Sequence, residues 1–198
     1  MTMEEWRFST SAVPARQRGE HWRAMLDRVV VLGDLTIPDE TAFTGTLFAR
    51  RLGGGMLVAD VASERFHVRH TARHLAAAGG DGVLICSFVA GSGMVRQGDV
   101  EIGFAPGDIV FRDAGAPSEV RLDSAMHGLV LKLPRARPWA PVDARGRLRA
   151  FKLSGASGLG AVIAALLRGT AAGLPDLEMM GAARRWRPRC GSWPALRS

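Results

Sequence analysis

Three histidines, His67, His70 and His74, lie close enough in sequence to suggest a metal site, because neutral imidazole is a common metal ligand. Spacings of three and four bring such residues to one face only in a helix. Arg65 to His70 reads as a strand, in which His67 and His70 point to opposite faces. The spacing is His-x-x-His rather than His-x-His, and Gly107 to Phe111 offers no further imidazole, so no metal is expected. Asp108 follows Pro106-Gly107 and reads as a turn residue bonding nearby backbone rather than a catalytic base. Ser87 lacks a nucleophile-elbow sequence, and Cys86 has no sequence-evident activating partner. Gly53-Gly54-Gly55 is followed by neither Lys-Ser/Thr nor a helix, which makes it a hairpin turn and not a phosphate loop. These readings lead to the expectation of a protein that is not an enzyme and uses no cofactor.

The elements around these residues follow from length and pattern. At 198 residues, 47% hydrophobic and 23% charged, the chain can bury an ordinary core without disulfide or metal staples. Cys86 and Cys190 then read as thiols in a reducing cytoplasm, Cys86 as a small buried hydrophobe. No run is long and apolar enough for a membrane span, and Met1 to Ser11 has no apolar signal core. The net charge of +7 is concentrated: of 26 Lys and Arg, Arg184, Arg185, Arg187, Arg189 and Arg197 fall at the end, and the remaining 21 nearly balance 19 acids. The basicity therefore belongs to the tail and does not define a nucleic-acid-binding face.

Apolar Trp22, Met25, Leu26 and Val29 recur at helical spacing, predicting a helix over Arg18 to Val30 that Pro38 keeps from continuing. From Thr44 the period becomes two. Strands are expected at Gly45 to Leu52, Met56 to Ala62, Arg65 to His70, Val83 to Ala90, Gly93 to Gln97, Val100 to Phe104, Ile109 to Asp113, Ser118 to Leu122 and Gly128 to Leu133. Gly98-Asp99 and Ala105-Pro106-Gly107-Asp108 supply tight turns, and Arg73 to Gly82 interrupts with a small helix or loop. Strands so short and so closely spaced predict an antiparallel sandwich or barrel. Past Pro141 helix returns: Leu159, Val162, Ile163, Leu166 and Leu167 form one apolar stripe, which either packs on the barrel or pairs subunits.

Several runs in this order carry a family resemblance: Arg65 to Thr71, Val83 to Phe88 with Gly91-Ser92-Gly93, Arg96-Gln97-Gly98-Asp99, Pro106-Gly107-Asp108 and Leu129 to Pro134. Together with Phe8-Ser9-Thr10, Arg18, Trp22 and Arg23, they resemble the N-terminal sensor domain of AraC/XylS-type transcription regulators over about residues 6 to 175. The resemblance implies a mainly β fold with flanking helices: a cupin-like double-stranded β-helix, or jelly roll, followed by a helical dimerisation segment. On that basis residues 1–40 form an N-terminal arm and helix, 41–142 the barrel, 143–180 the helical segment and 181–198 a basic tail. The implied function is effector sensing and pairing for a transcription regulator. Partners would be an unknown small molecule and a second copy or related regulator, with no membrane involved.

Such regulators continue into two helix-turn-helix units that read DNA. Gly181 to Ser198 has neither periodicity nor a recognition helix, and its Arg, Trp, Pro and Cys are what a GC-rich gene yields in a shifted frame. The expectation is a chain truncated near residue 178, without its own DNA-binding domain; the alternative for the tail is an Arg/Trp arm binding nucleic acid nonspecifically. Candidate pocket residues are Trp22, His67, Arg69, Arg96 and His127, and the dimer interface is assigned to Leu159, Val162, Ile163, Leu166 and Leu167. In the 65–70 strand, Phe66 and Val68 share one face and His67 and Arg69 the other; parity alone leaves open which face meets the pocket. The rival readings are a small cupin metalloenzyme, such as an isomerase or dioxygenase, and a truncated product without function.

Overall fold

Alternating apolar residues fold here as strands because each sheet buries a face, and the turn residues set where one strand ends and the next begins. In the computed structural model, which describes residues 4–30, 33–78, 82–134 and 148–173, the strands are β1 (Glu5–Ser9), β2 (Asp34–Thr36), β3 (Gly45–Arg51), β4 (Leu57–Ser63), β5 (His67–His70), β6 (Val83–Ala90), β7 (Gly93–Gln97), β8 (Val100–Phe104), β9 (Asp108–Asp113), β10 (Ser118–Leu122), β11 (Met126–Leu133) and β12 (Phe151–Ser154). Helices are α1 (Arg18–Val29), α2 (Ala72–Ala78) and α3 (Gly158–Gly173). All nine expected strands are present, with ends displaced by at most two residues. Gly98 and Gly107 have φ of 61° and 91°, the left-handed region that the β7–β8 and β8–β9 turns require and that glycine enters without a Cβ clash.

The strands form two antiparallel sheets, one in the order β1-β3-β4-β11-β6-β9-β12 and the other β2-β5-β10-β7-β8. Their inner faces share the main core, including Leu47, Ala59, Val61, Leu84, Phe88, Val110 and Val130 from the first sheet and Leu35, Val68, Val95, Ile102 and Leu122 from the second. Helix α1 adds Trp22, Leu26 and Val29 to this core. The outer face of the larger sheet is buried as well: Val83, Ile85, Ile109, Phe111 and Leu129 pack with Leu148 and with Ala164 and Leu167 of α3.

Strands β1 and β2 were not expected, and of the two readings of Leu148 to Leu153, an extended connector or a first helical turn, the extended one holds as β12; all three strands carry the sheets beyond the 41–142 boundaries. β1 shows only Trp6 and Phe8 in alternation, too short a run to stand out; pairing with β3 from Glu5↔Arg50 to Ser9↔Thr46 makes it a strand. β12 forms by pairing with β9, Phe151 stacking on Phe111 at a centroid distance of 4.5 Å. The basic tail, the frame change near residue 178 and the end of the helical segment lie outside the described residues.

Candidate functional site

Between the sheets lies a hollow of about 70 Å³ lined by Leu26 and Val30, by Val61, Cys86, Phe88, Val110, Arg112, Met126 and Val130 of the larger sheet, and by Phe66, Val68, Val95, Val120 and Leu122 of the other wall. Strand parity builds it: in β9, Val110 and Arg112 face inward while Ile109 and Phe111 face α3, and in β6 Cys86 and Phe88 face inward while Val83 and Ile85 face α3. The wall is therefore almost wholly apolar, with Cys86 and Arg112 as its only residues carrying a thiol or a charge.

Arg112 is 5% exposed and donates from Nη1 to Ser118 Oγ at 2.9 Å. Burial pushes the Cys86 thiol up, against the pull of the Arg112 guanidinium beside it. Register extends this charge across the sheet: Arg51 pairs with Leu57, Leu57 with Lys132, Lys132 with Leu84 and Leu84 with Arg112, so the three cations occupy one transverse row at one end of the inner face. Burial, followed by repulsion from Arg51 and Arg112, lowers the Lys132 ammonium from its ordinary range. Arg51 is paired with Glu4 at 3.1 Å; among the described residues no carboxylate forms an ion pair with Arg112 or Lys132.

At the opposite end of the same strands a larger cleft of about 360 Å³ opens among Ser9, Thr10, Arg18, Thr46, Ser63 and Glu64. Ser63 Oγ and Arg18 Nε are buried there without a hydrogen-bond partner. Met126 lines both the cleft and the hollow.

None of the five residues expected in a pocket lines the hollow. Trp22 is fully buried in the core, its ring 6.2 Å from Phe8 and 5.5 Å from Phe43. His67 lies on the outer face of β5, its Nε2 2.7 Å from Glu119 Oε1. Arg96 reaches the same Glu119 at 3.7 Å and pairs with Glu101 at 2.7 Å, and exposed Arg69 sits in register with Glu119. His127 pairs with Asp60 at 2.7 Å on the outer side of the larger sheet. The structure thus brings His67 and Arg96 to one outward carboxylate, with Arg69 opposite it in the sheet register, while Phe66 and Val68 face inward. The polar wall groups that sequence reasoning missed, Arg112 and Cys86, sit in strands buried on both faces, where no alternation marks the inner side.

Of the three clustered histidines, His70 and His74 stack with ring centroids 6.1 Å apart, while His67 lies on the outer face of β5 with Glu119. His74 approaches Asp34 at 3.4 Å and Thr71 Oγ1 at 3.0 Å, away from the His67–Glu119 pair, and no group of three or more His, Cys, Asp or Glu among the described residues could hold a metal ion. Asp108 accepts from the Ala105 amide at 3.0 Å and pairs with Lys152 at 3.0 Å, as a turn residue does.

The apolar stripe of α3 is divided. Leu167 is 1% exposed and Ile163 packs with it against the larger sheet, whereas Leu159, Val162 and Leu166 are 68%, 65% and 65% exposed. Packing on the barrel and an open apolar face coexist on one helix. Among the described residues no helix is long and apolar enough to cross a membrane.

A model of the AraC-binding-like domain matches residues 22–187. Among solved structures, the AraC-like transcriptional activator CuxR superposes with a TM-score of 0.68 at 19% identity over 88% of this chain, which shows a shared cupin-like fold; the chain spans 62% of that protein's length. Bacillus subtilis oxalate decarboxylase (TM-score 0.37, 11% identity, 46% of this chain and 25% of that one) and ectoine synthase from P. lautus (0.33, 16%, 46% and 65%) are too distant in shape to carry an argument. No curated protein sequence matches the chain.

Proposed function

Because this chain belongs to the AraC-binding-like domain family, we propose that it is the effector-sensing and pairing part of a transcription regulator, acting in the cytoplasm by binding rather than by turnover. The observation that supports this reading is the hollow between the sheets, an apolar chamber whose lining also includes Arg112 and Cys86; its composition is that of a small-molecule site and its volume of about 70 Å³ admits only a very small ligand. The ligand enters through the hydroxyl-lined cleft past Met126, whose unbranched side chain changes rotamer at little cost.

Occupancy reaches the pairing surface through one thickness of sheet. β9, β6 and β11 present Val110, Phe88 and Val130 to the hollow and Phe111, Ile85 and Leu129 to the core beneath α3. A ligand that moves these strands by binding one arrangement better also shifts α3, whose exposed Leu159, Val162 and Leu166 meet a second copy or a related regulator. Mixed pairs with an intact relative would lower that relative's affinity for its operator.

Thermal melts of the whole chain against a panel of small apolar metabolites test the reading. A ligand at about a hundred times its Kd adds roughly 2.7 kcal/mol, which raises Tm by several degrees. The result that counts against the proposal is a panel in which no compound moves Tm, or in which the chain turns a bound compound over.

A further inference from the structure

We infer that the hollow takes a small aliphatic monocarboxylate, its hydrocarbon body among Val68, Phe88, Val110 and Val130 and its carboxylate on the Arg112 guanidinium, beside Ser118 and Lys132. This rests on the reading of the hollow as the effector site. Arginine cannot shed its charge by losing a proton, so a guanidinium buried between two sheets must be compensated by its surroundings. Ser118 Oγ, at 2.9 Å, offers a neutral acceptor, and no described carboxylate pairs with Arg112. The nearest charged groups in its row of the sheet, Lys132 and beyond it Arg51, are themselves cationic, and only Arg51 has an acid, Glu4 at 3.1 Å. Among the described residues, Arg112, which lines the chamber, therefore has no carboxylate to balance its charge. A carboxylate matches the fork of the guanidinium with two parallel hydrogen bonds.

The remaining walls set the rest of the ligand. Apart from Arg112, the lining offers only the weakly bonding Cys86 thiol, so a sugar would leave most of its hydroxyls unpaired. A volume of about 70 Å³ holds on the order of five water-sized groups at ~10–15 Å³ each, which limits the ligand to about five to seven non-hydrogen atoms. A branched five-carbon acid is near that limit.

The test is calorimetric titration of the whole chain with isovalerate at pH 7, where the acid is ionised, against its uncharged isostere isovaleramide and against acetate and sulfate. Isovalerate should bind about tenfold or more tighter than the amide, since a hydrogen bond to a charged group is roughly twice as strong as a neutral one. Acetate and sulfate, lacking the hydrocarbon body, should bind more weakly than isovalerate. In Arg112→Met the acid should lose its advantage and bind no better than the amide. The wild-type comparison of acid with amide needs no variant, and circular dichroism of Arg112→Met shows whether that variant is folded. Amide binding as tightly as acid overturns the charge assignment and leaves the effector-site reading standing. Sulfate or acetate matching isovalerate overturns the apolar part. Binding of neither acid nor amide overturns the inference, while the unbiased panel of the thermal melts still decides the sensing role.

Discussion

Replacing Leu166 by serine should dissolve the proposed pair of subunits without unfolding either one. Full burial of a Leu or Val side chain is worth roughly 1.5–3 kcal/mol. Leu159, Val162 and Leu166 are 68%, 65% and 65% exposed, so covering each would contribute about 1–2 kcal/mol. In a twofold pair these three count twice, for a gross ~6–12 kcal/mol set against an association cost of about 4–15 kcal/mol. The favourable end of this balance leaves a net of about 8 kcal/mol, so these three side chains can support pairing no tighter than a Kd of about 1 μM. Leu166→Ser removes about 2–4 kcal/mol from the pair, which at 1.4 kcal/mol per factor of ten weakens it roughly 30- to 700-fold. Sedimentation equilibrium over a range of concentrations measures this directly. Because Leu166 is solvent-facing, its Tm should move by no more than about 2 °C. Leu167→Ser, at a position 1% exposed, is the contrast: it should cost about 2–5 kcal/mol and lower Tm by roughly 4–20 °C. A wild-type chain still monomeric at about 1 mM, or a Leu166→Ser chain that pairs as well as wild type, refutes the assignment of this face.

The N-terminal strand should show acid sensitivity. Burial pushes the Glu5 carboxyl up, but hydrogen bonds from Arg50 and Arg7 outweigh it and hold the group below its ordinary 4.5. That stabilisation is complete above the ordinary value and is lost as pH falls through the lower folded value, so Glu5→Gln should cost about 3 kcal/mol at pH 7 by stranding buried Arg50. Melts of the two chains should converge on acidification; an equal gap at every pH contradicts this. Gly45→Ala would place a Cβ 2.8 Å from the Trp22 ring and should lower stability by about 1–3 kcal/mol, read as a fall in Tm. With its thiol pushed up by burial, Cys86 in a Cys190→Ser background should resist alkylation at neutral pH until the chain unfolds, and fast native labelling would count against the packing described.

The β-domain was legible because its strands bury one face in most places and are separated by Gly-Asp and Pro-Gly turns, so period and punctuation agree. β1 and β2 were not, since Glu5–Ser9 and Asp34–Thr36 have too few alternations to register and are held by pairing with β3 and β5. The site was less legible still. In β5 the polar residues His67 and Arg69 attract attention, yet their face points outward, and the inward residues are Val68 and, just before the strand, Phe66. In β9 every residue from Ile109 to Asp113 is buried, one face by the opposite sheet and the other by α3 and its neighbours. A charged residue there reads as an exposed strand end, and only the sheet register reveals that Arg51, Lys132 and Arg112 share a row. The stripe on α3 was read from its spacing, but periodicity cannot tell which side of a doubly apolar helix meets the sheet.

Methyl-resolved NMR of the whole chain during titration with small apolar ligands tests the sensing claim most directly. A binding compound should shift the methyl groups of Val61, Val68, Val95, Val110, Val120, Leu122 and Val130, which line the hollow from both sheets, and then those of Ile109 and Ile85 on the far face of the same strands. Shifts confined to solvent-facing methyls such as Leu159 and Val162, with the interior set unmoved by every compound, would contradict it.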